Sequence, residues 1–219
     1  MQNKKSKVLV VALIVSLAAI ISIGSLAWFT AKDDVTNTIK LADDFKIEVY
    51  EHDWSKPNTD ETTTGLTYTS IMPGQKIQKD PTVRNTGTHP EWVRVNVTLS
   101  DYDIWNTVVK PDKETGKVDL SAIFTGFDSG KWTRYDAPKV DNTAKTVTYT
   151  FYLNSKLEAS ATQTLFTGVT IPESLTLEQA KSIGENGFTI KVEAEAIQAE
   201  YLDEGITTAQ QAFALLENN

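Results

Sequence analysis

Cysteine is absent from the 219-residue sequence, and histidine occurs only twice. Without cysteine the chain has no disulfides, no thiolate metal sites, no iron–sulfur clusters and no cysteine nucleophile. The small disulfide-stapled folds of many secreted proteins are excluded as well. The hydrophobic fraction of 40% is ordinary for a globular protein, so most of the chain is expected to bury a core.

Positive charge is also scarce, with 21 Lys and Arg against 29 Asp and Glu and a net charge of -8. Three of the lysines, Lys4, Lys5 and Lys7, precede an apolar segment, and removal of that segment leaves a net charge of -11. A surface this acidic repels nucleic acid and anionic lipid. Neither is expected as a primary partner.

The longest apolar run lies near the N-terminus, from Val8 to Ala27. A basic region, an apolar region and small residues at Ser25 and Ala27 are the pattern of a secretory signal, predicted here as residues 1–27 with cleavage before Trp28. An uncleaved membrane anchor is the alternative, because roughly 20 apolar residues span a bilayer. In either case the rest of the chain is expected outside the cell, and the lack of cysteine favours a bacterial source.

Apolar and polar residues alternate through much of the remaining sequence, with the period of two that is typical of strands packed on one face. Glycine, proline and asparagine turn formers separate these segments. Two short helices are predicted, each opening on a Thr-x-x-Gln capping box. The predicted strands are 45–49, 93–99, 147–153, 165–171 and 188–196, and the predicted helices are 176–184 and 208–216.

This order of elements predicts an all-β fold, a jelly-roll-like antiparallel β-sandwich with one or two short helices. The length suits one larger β domain or two small ones, and we predict one. The signal is expected at 1–27, an N-terminal segment at 28–42 and the sandwich at 43–219. Residues 102–138 are less regular and are expected to form an insertion packed against one end of the sandwich.

Catalytic motifs are lacking. His52 and His89 do not form a His-Glu-x-x-His helix, and the sequence has no Gly-x-Ser-x-Gly elbow and no EF-hand loop. Asn96-Val-Thr98 matches the N-glycosylation pattern but lies inside a predicted strand. A Leu-Pro-x-Thr-Gly sorting signal is absent too, so attachment to the cell wall by a sortase is not expected. We predict no enzyme activity and no cofactor.

Five short segments resemble the TasA/camelysin-type proteins of Gram-positive bacteria, especially their clostridial BsaA-like branch. They are Ser25-Leu-Ala-Trp-Phe-Thr-Ala31, Asp33-Asp-Val-Thr-Asn-Thr-Ile39, the Pro73–Gly87 stretch, Trp92-Val-Arg-Val95 and Ala194-Glu-Ala-Ile-Gln-Ala199. The segments touch both ends and the middle of the chain. The 102–138 stretch carries no motif of that family.

The resemblance implies a secreted jelly-roll subunit of biofilm matrix fibres, processed by the dedicated signal peptidase SipW. It also implies assembly by donor-strand exchange, in which the freed N-terminal strand of one subunit completes the sheet of the next. The expected partners are other copies of the chain, the SipW-like peptidase and an accessory matrix protein. The expected donor residues are Trp28, Phe29, Val35, Asn37, Ile39 and Leu41.

Three alternatives remain open. The N-terminal segment would otherwise be an ordinary first strand paired within its own domain. Some camelysin-like proteins are classed as metallopeptidases, which would require a weak metal site at His52 and His89. A monomeric surface adhesin would instead bind carbohydrate or a host protein through exposed tryptophans. The candidate tryptophans are Trp54, Trp92, Trp105 and Trp132.

Overall fold

The computed structural model describes residues 30–34, 37–38, 45–54, 62–63, 65–66, 68, 71–102, 105, 120–135, 137–183, 187–200, 202 and 204–217. The predicted signal at 1–27 and the cleavage site after Ala27 lie outside these residues. So do Trp28, Phe29, Val35, Ile39 and Leu41 of the predicted donor segment.

The described residues form fourteen strands and two α-helices, with a 3-10 turn at Leu120–Ala122. All strand pairs are antiparallel. The strands are β1 Thr30–Asp34, β2 Asn37–Thr38, β3 Ile47–His52, β4 Thr62–Thr63, β5 Lys76–Gln78, β6 Thr82–Asn85, β7 Glu91–Leu99, β8 Phe124–Thr125, β9 Trp132–Arg134, β10 Lys139–Asp141, β11 Thr146–Leu153, β12 Thr162–Thr164, β13 Gly168–Thr170 and β14 Ile190–Gln198. The helices are α1 Leu177–Ile183 and α2 Ala209–Glu217.

Two layers of sheet enclose one main core. The larger sheet has the order β10-β11-β7-β14-β1-β2, with β9 also beside β11. The facing layer consists of a four-stranded sheet, β12-β6-β3-β4, and a three-stranded sheet, β5-β13-β8. Buried side chains from both layers meet in the core, among them Val95, Val97, Val49, Val83 and Val169. The predicted all-β sandwich with short helices is therefore confirmed.

The two ends of the sandwich are named here after the two ends of β7. At the Glu91 end, Asn85 at the finish of β6 donates a hydrogen bond of 2.9 Å to the carbonyl oxygen of Leu157, which in turn pairs with Glu91. Strand β3 begins at this end, because Ile47 is the register partner of Asn85. The Leu99 end is the opposite one, where β14 begins and β3 finishes.

Helix α2 covers the outer face of the larger sheet and builds a second, smaller core. The side chains of Phe213 and Ala212 on α2 are fully buried against Trp92 and Ile197 of the sheet. The helix begins as its sequence predicts, since the amide of Gln211 donates to the Thr208 hydroxyl at 3.3 Å and the amide of Thr208 donates to the Gln211 side-chain oxygen at 3.2 Å.

Two details differ from the sequence-based expectation. The run 165–171 is not one strand, because β12 pairs with β6 whereas β13 pairs with β5. The interruption lies opposite Pro81, which has no amide hydrogen to continue the ladder. Within the expected insertion, residues 120–135 supply β8 and β9 to the two layers.

Candidate assembly edge

Strand β1 lies near the edge of the larger sheet and pairs with β14 inside its own chain. Four residues are in register, from Thr30 opposite Ile197 to Asp33 opposite Ala194. The single chain therefore pairs this strand in its own domain, which is also the starting arrangement that strand exchange needs. Beyond β1, the two-residue β2 folds back on it, with Asp33 opposite Thr38 and Asp34 opposite Asn37.

This hairpin means that the predicted donor segment 28–42 is not one continuous strand in the single chain. Asn37 lies on β2, and Thr30–Asp34 lie on β1. The chain reverses between Asp34 and Asn37. The expected common face of Val35, Ile39 and Leu41 falls on residues outside the described ones and stays a prediction.

The described pairing of β14 is shorter on its β1 side than on its β7 side. The strand has nine residues, and β7 pairs with all of them on one side. On its other side, β1 is in register with residues 194–197. A row of backbone amides and carbonyls that lack ladder partners is a template for strand addition.

The opposite edge of the larger sheet is protected. Two short strands, β9 and β10, share the outer side of β11, and Pro138 lies between them. The three residues of β10 are all exposed, and Lys139 and Asp141 flank Val140. Short interrupted strands, proline and charged residues are the features that prevent edge-to-edge pairing. Strand addition is therefore favoured at the β14 edge over the β9–β10 edge.

The β14 edge is held rigidly by a charged cluster on the outer face of the sheet. Arg94 donates from its Nη2 to Glu195 on β14 at 2.8 Å and from its Nη1 to Glu217 on α2 at 2.7 Å. Its guanidinium also stacks 4.4 Å from the ring centre of Phe213. Because these contacts join β7, β14 and α2, they hold β14 in place whether or not β1 occupies its edge.

The two histidines lie at opposite ends of the sandwich. His52, at the Leu99 end, pairs through its Nδ1 with the buried carboxylate of Asp80, which also accepts a 3.1 Å hydrogen bond from the Trp54 indole. His89, at the Glu91 end, pairs with Glu200 at 3.1 Å. The structure does not bring the two imidazoles together, and no group of three metal-ligating side chains occurs among the described residues.

A second buried ion pair adjoins His52. Lys79 pairs with Glu51, and both side chains are buried. Burial and the nearby carboxylates of Glu51 and Asp80 raise the pKa of Tyr68 to about 12. Because Lys79 and Glu51 compensate each other's buried charge, removal of either side chain alone would leave an unpaired buried charge and destabilise this end of the four-stranded sheet.

Of the four tryptophans considered for ligand binding, only Trp54 is exposed, at 38% of its surface. Trp92 and Trp132 are buried, and Trp105 packs edge-on against Phe188 with ring centres 5.0 Å apart. Burial of three of the four leaves one exposed indole to contact a ligand.

Sequence reasoning missed Glu91, which is the most unusual charged group in the described part of the chain. Its side chain is fully buried, and neither carboxylate oxygen has a hydrogen-bond partner among the described residues. Burial raises the pKa of Glu91 to about 8. The nearby backbone amide of Lys46 acts in the opposite direction but is the weaker effect. Glu91 shares the core-facing side of β7 with Val93, Val95 and Val97, and this alternation was visible in the sequence.

In the part of the chain that the structure describes, no helix is long and apolar enough to cross a membrane. Comparison with protein-family models, with curated proteins and with solved structures finds no match.

Proposed function

We propose that this chain is a secreted structural subunit that assembles into extracellular matrix fibres by exchange of its N-terminal strand. The observation that carries the proposal is the pairing of β1, a short N-terminal strand, with β14 near the edge of the larger sheet. β7 pairs with all nine residues of β14 on one side, and among the described residues β1 pairs with 194–197 on the other. The edge already accepts an antiparallel strand, and that strand belongs to the N-terminal segment.

Exchange replaces the contacts of β1 by identical contacts from another copy, so the exchange itself costs little free energy. The gain comes from straightening the hairpin. Continuation of the same register past Asp33 would place 34–37 opposite 193–190, with Val35 opposite Val192 and Asn37 opposite Ile190. Ile39 and Leu41 would follow beyond the end of β14.

Straightening would replace the two β1–β2 pairs by pairs between residues 34–37 and residues 190–193 of another copy. Each net ladder hydrogen bond contributes about 0.5–1.5 kcal/mol, and Val35 would gain a position beside Val192, which is buried in the main core. Removal of residues 1–27 by a SipW-like signal peptidase would free the strand to leave, and an accessory matrix protein would be a further partner.

Negative-stain electron microscopy of purified protein tests this proposal. Protein that begins at Trp28 is expected to form filaments, and protein that begins at Asp43 is expected to form none at the same concentration. Circular dichroism checks that both are folded. Filaments from the protein that begins at Asp43 would contradict the role of the N-terminal segment.

A matched control keeps the whole N-terminal segment. The backbone N–H groups of adjacent strand residues point to opposite sides of the strand. Of Ala31 and Lys32, one therefore directs its N–H towards β14, and proline at both positions removes that donor. The double variant Ala31→Pro, Lys32→Pro in protein that begins at Trp28 is expected to stay monomeric. If it forms filaments as readily as the unchanged protein, pairing of β1 with β14 does not drive assembly.

A further inference from the structure

Sulfur is nearly absent from this chain, and its position determines where an oxidant would react. The sequence has no cysteine and two methionines, Met1 and Met72. Met1 belongs to the predicted signal, so cleavage before Trp28 would leave Met72 as the one sulfur atom of the exported chain. A methionine thioether is a common target of oxidants, which convert it to the sulfoxide.

Met72 lies where an oxidant in solution can reach it. The residue is 68% exposed and precedes β5. Indole rings are the other oxidisable side chains to consider. Among the described tryptophans, Trp92, Trp105 and Trp132 are buried, and Trp54 is 38% exposed. Met72 therefore combines a readily oxidised group with more exposure than any indole in the described part of the chain.

The turn that carries Met72 does not depend on the thioether. The amide of Gln75 donates to the carbonyl of Met72 at 3.0 Å, and the amide of Met72 donates to the Gln75 side-chain oxygen at 3.1 Å. Two backbone bonds join the turn to the chain that precedes α1, from Gly74 to Ile171 at 2.8 Å and from Ile171 to Gln75 at 2.9 Å. None of these four bonds uses the sulfur, so an oxygen added to it would leave them in place.

We propose that Met72 is a modification site of this chain, at which hydrogen peroxide oxidises the thioether to the sulfoxide without loss of the fold. A sulfur lone pair attacks one peroxide oxygen, so a sulfur–oxygen bond forms and the oxygen–oxygen bond breaks. The other oxygen takes up the proton of the transferred oxygen and leaves as water. The sulfur is oxidised, the peroxide is reduced, and a sulfoxide reductase can reverse the change.

Peroxide treatment of freshly purified, unassembled protein that begins at Trp28 tests the site. Mass spectrometry of its peptides is expected to show one added oxygen atom on the peptide that contains Met72, and the midpoint of urea unfolding is expected to stay unchanged. Met72→Leu is the matched control and is expected to gain no oxygen under the same treatment. If Met72→Leu gains oxygen as readily as the unchanged protein, another side chain is the reactive one and the proposal is overturned.

A buried methionine separates the effect of exposure from that of the thioether itself. Leu165 is buried in the main core, and Leu165→Met is a substitution of similar volume. In this variant Met72 is expected to react at least about tenfold faster than the buried position, because oxidation follows access. Equal rates at the two positions, or a lower urea midpoint of the natural sequence once Met72 is oxidised, would overturn the proposal. Neither result depends on filaments, so the proposed function is tested separately.

Discussion

The buried carboxyl group of Glu91 predicts an unusual dependence of stability on pH. Its pKa is about 8 in the folded chain, against 4.5 for an ordinary glutamate. Between these two values the unfolded chain has lost a proton that the folded chain keeps, so ionisation favours unfolding. The free energy of unfolding should therefore fall by about 1.4 kcal/mol per pH unit across this window. Below pH 4.5 and above pH 8 this group adds no further slope.

Replacement by glutamine removes the titration and keeps the shape of the side chain. Glu91→Gln should match the unchanged protein near pH 4.5, exceed its stability by about 3 kcal/mol at pH 7 and exceed it by about 5 kcal/mol above pH 8. Burial of the glutamine side-chain amide adds a cost that does not depend on pH, and this cost shifts all three stability differences equally. The comparison therefore uses the slope of the free energy of unfolding against pH. The measurement is urea unfolding at intervals from pH 5 to pH 9, made on protein that begins at Trp28 and carries Ala31→Pro and Lys32→Pro, the variant expected to stay monomeric.

Glu158→Gln is the matched control, since Glu158 is exposed and adjoins Leu157, the bridge partner of Glu91. This variant should keep the pH dependence of the unchanged protein. The reasoning is refuted if Glu91→Gln and the unchanged protein lose stability in parallel between pH 5 and pH 8. Parallel curves would mean that the carboxyl group is hydrated or paired in solution.

Three further predictions concern single side chains. Arg94→Gln should lower the free energy of unfolding by about 2–4 kcal/mol, because it removes the cation that faces the largely buried Glu195 carboxylate. Arg84→Gln, which breaks the exposed Arg84–Glu48 pair, should lower it by about 1 kcal/mol or less. Urea unfolding of both variants measures the difference. Gly126→Ala should destabilise the fold by at least about 1–3 kcal/mol, because its φ of 72° disfavours alanine and the new Cβ would lie 2.1 Å from a threonine hydroxyl; an unchanged melting temperature would contradict this. Asp80→Asn should shift the NMR signal of the Trp54 indole N–H, because the acceptor of its hydrogen bond loses its charge. An unmoved signal would show that this hydrogen bond is absent.

Local sequence patterns predicted the elements that depend on near neighbours. The period-two alternation located β3, β7, β11 and β14, and the Thr-x-x-Gln boxes located both helices. These signals are local because side-chain direction and helix capping are determined within a few residues. Residues 120–135 lacked such periodicity, yet the aromatic rings of Phe124 and Phe166, stacked with centres 4.4 Å apart, fix their place in the core.

Long-range pairing was not readable from the sequence. The carboxylate partners of His52 and His89 lie 28 and 111 residues away, so no local pattern announced them. The hairpin between β1 and β2 was also missed, because a continuous alternation does not reveal where a strand reverses. The position of β1 beside β14 joins residues more than 160 positions apart, so only the fold reveals this pairing.

Pairing of β1 with β14 of another chain is the central claim, and mixed-cysteine crosslinking tests it most directly. Ala31 and Ala196 are register partners, and residues directly opposite in an antiparallel pair lie close enough for a disulfide. Chains carrying Ala31→Cys alone are mixed with tagged chains carrying Ala196→Cys alone, allowed to assemble and oxidised. Strand exchange predicts a covalent dimer of one untagged and one tagged chain, formed only in filaments. The double variant Ala31→Cys, Ala196→Cys in one chain is the control, which shows that these two positions can form a disulfide. If the double variant closes an internal disulfide but the mixed filaments contain no covalent dimer, β1 stays in its own subunit and the account is contradicted.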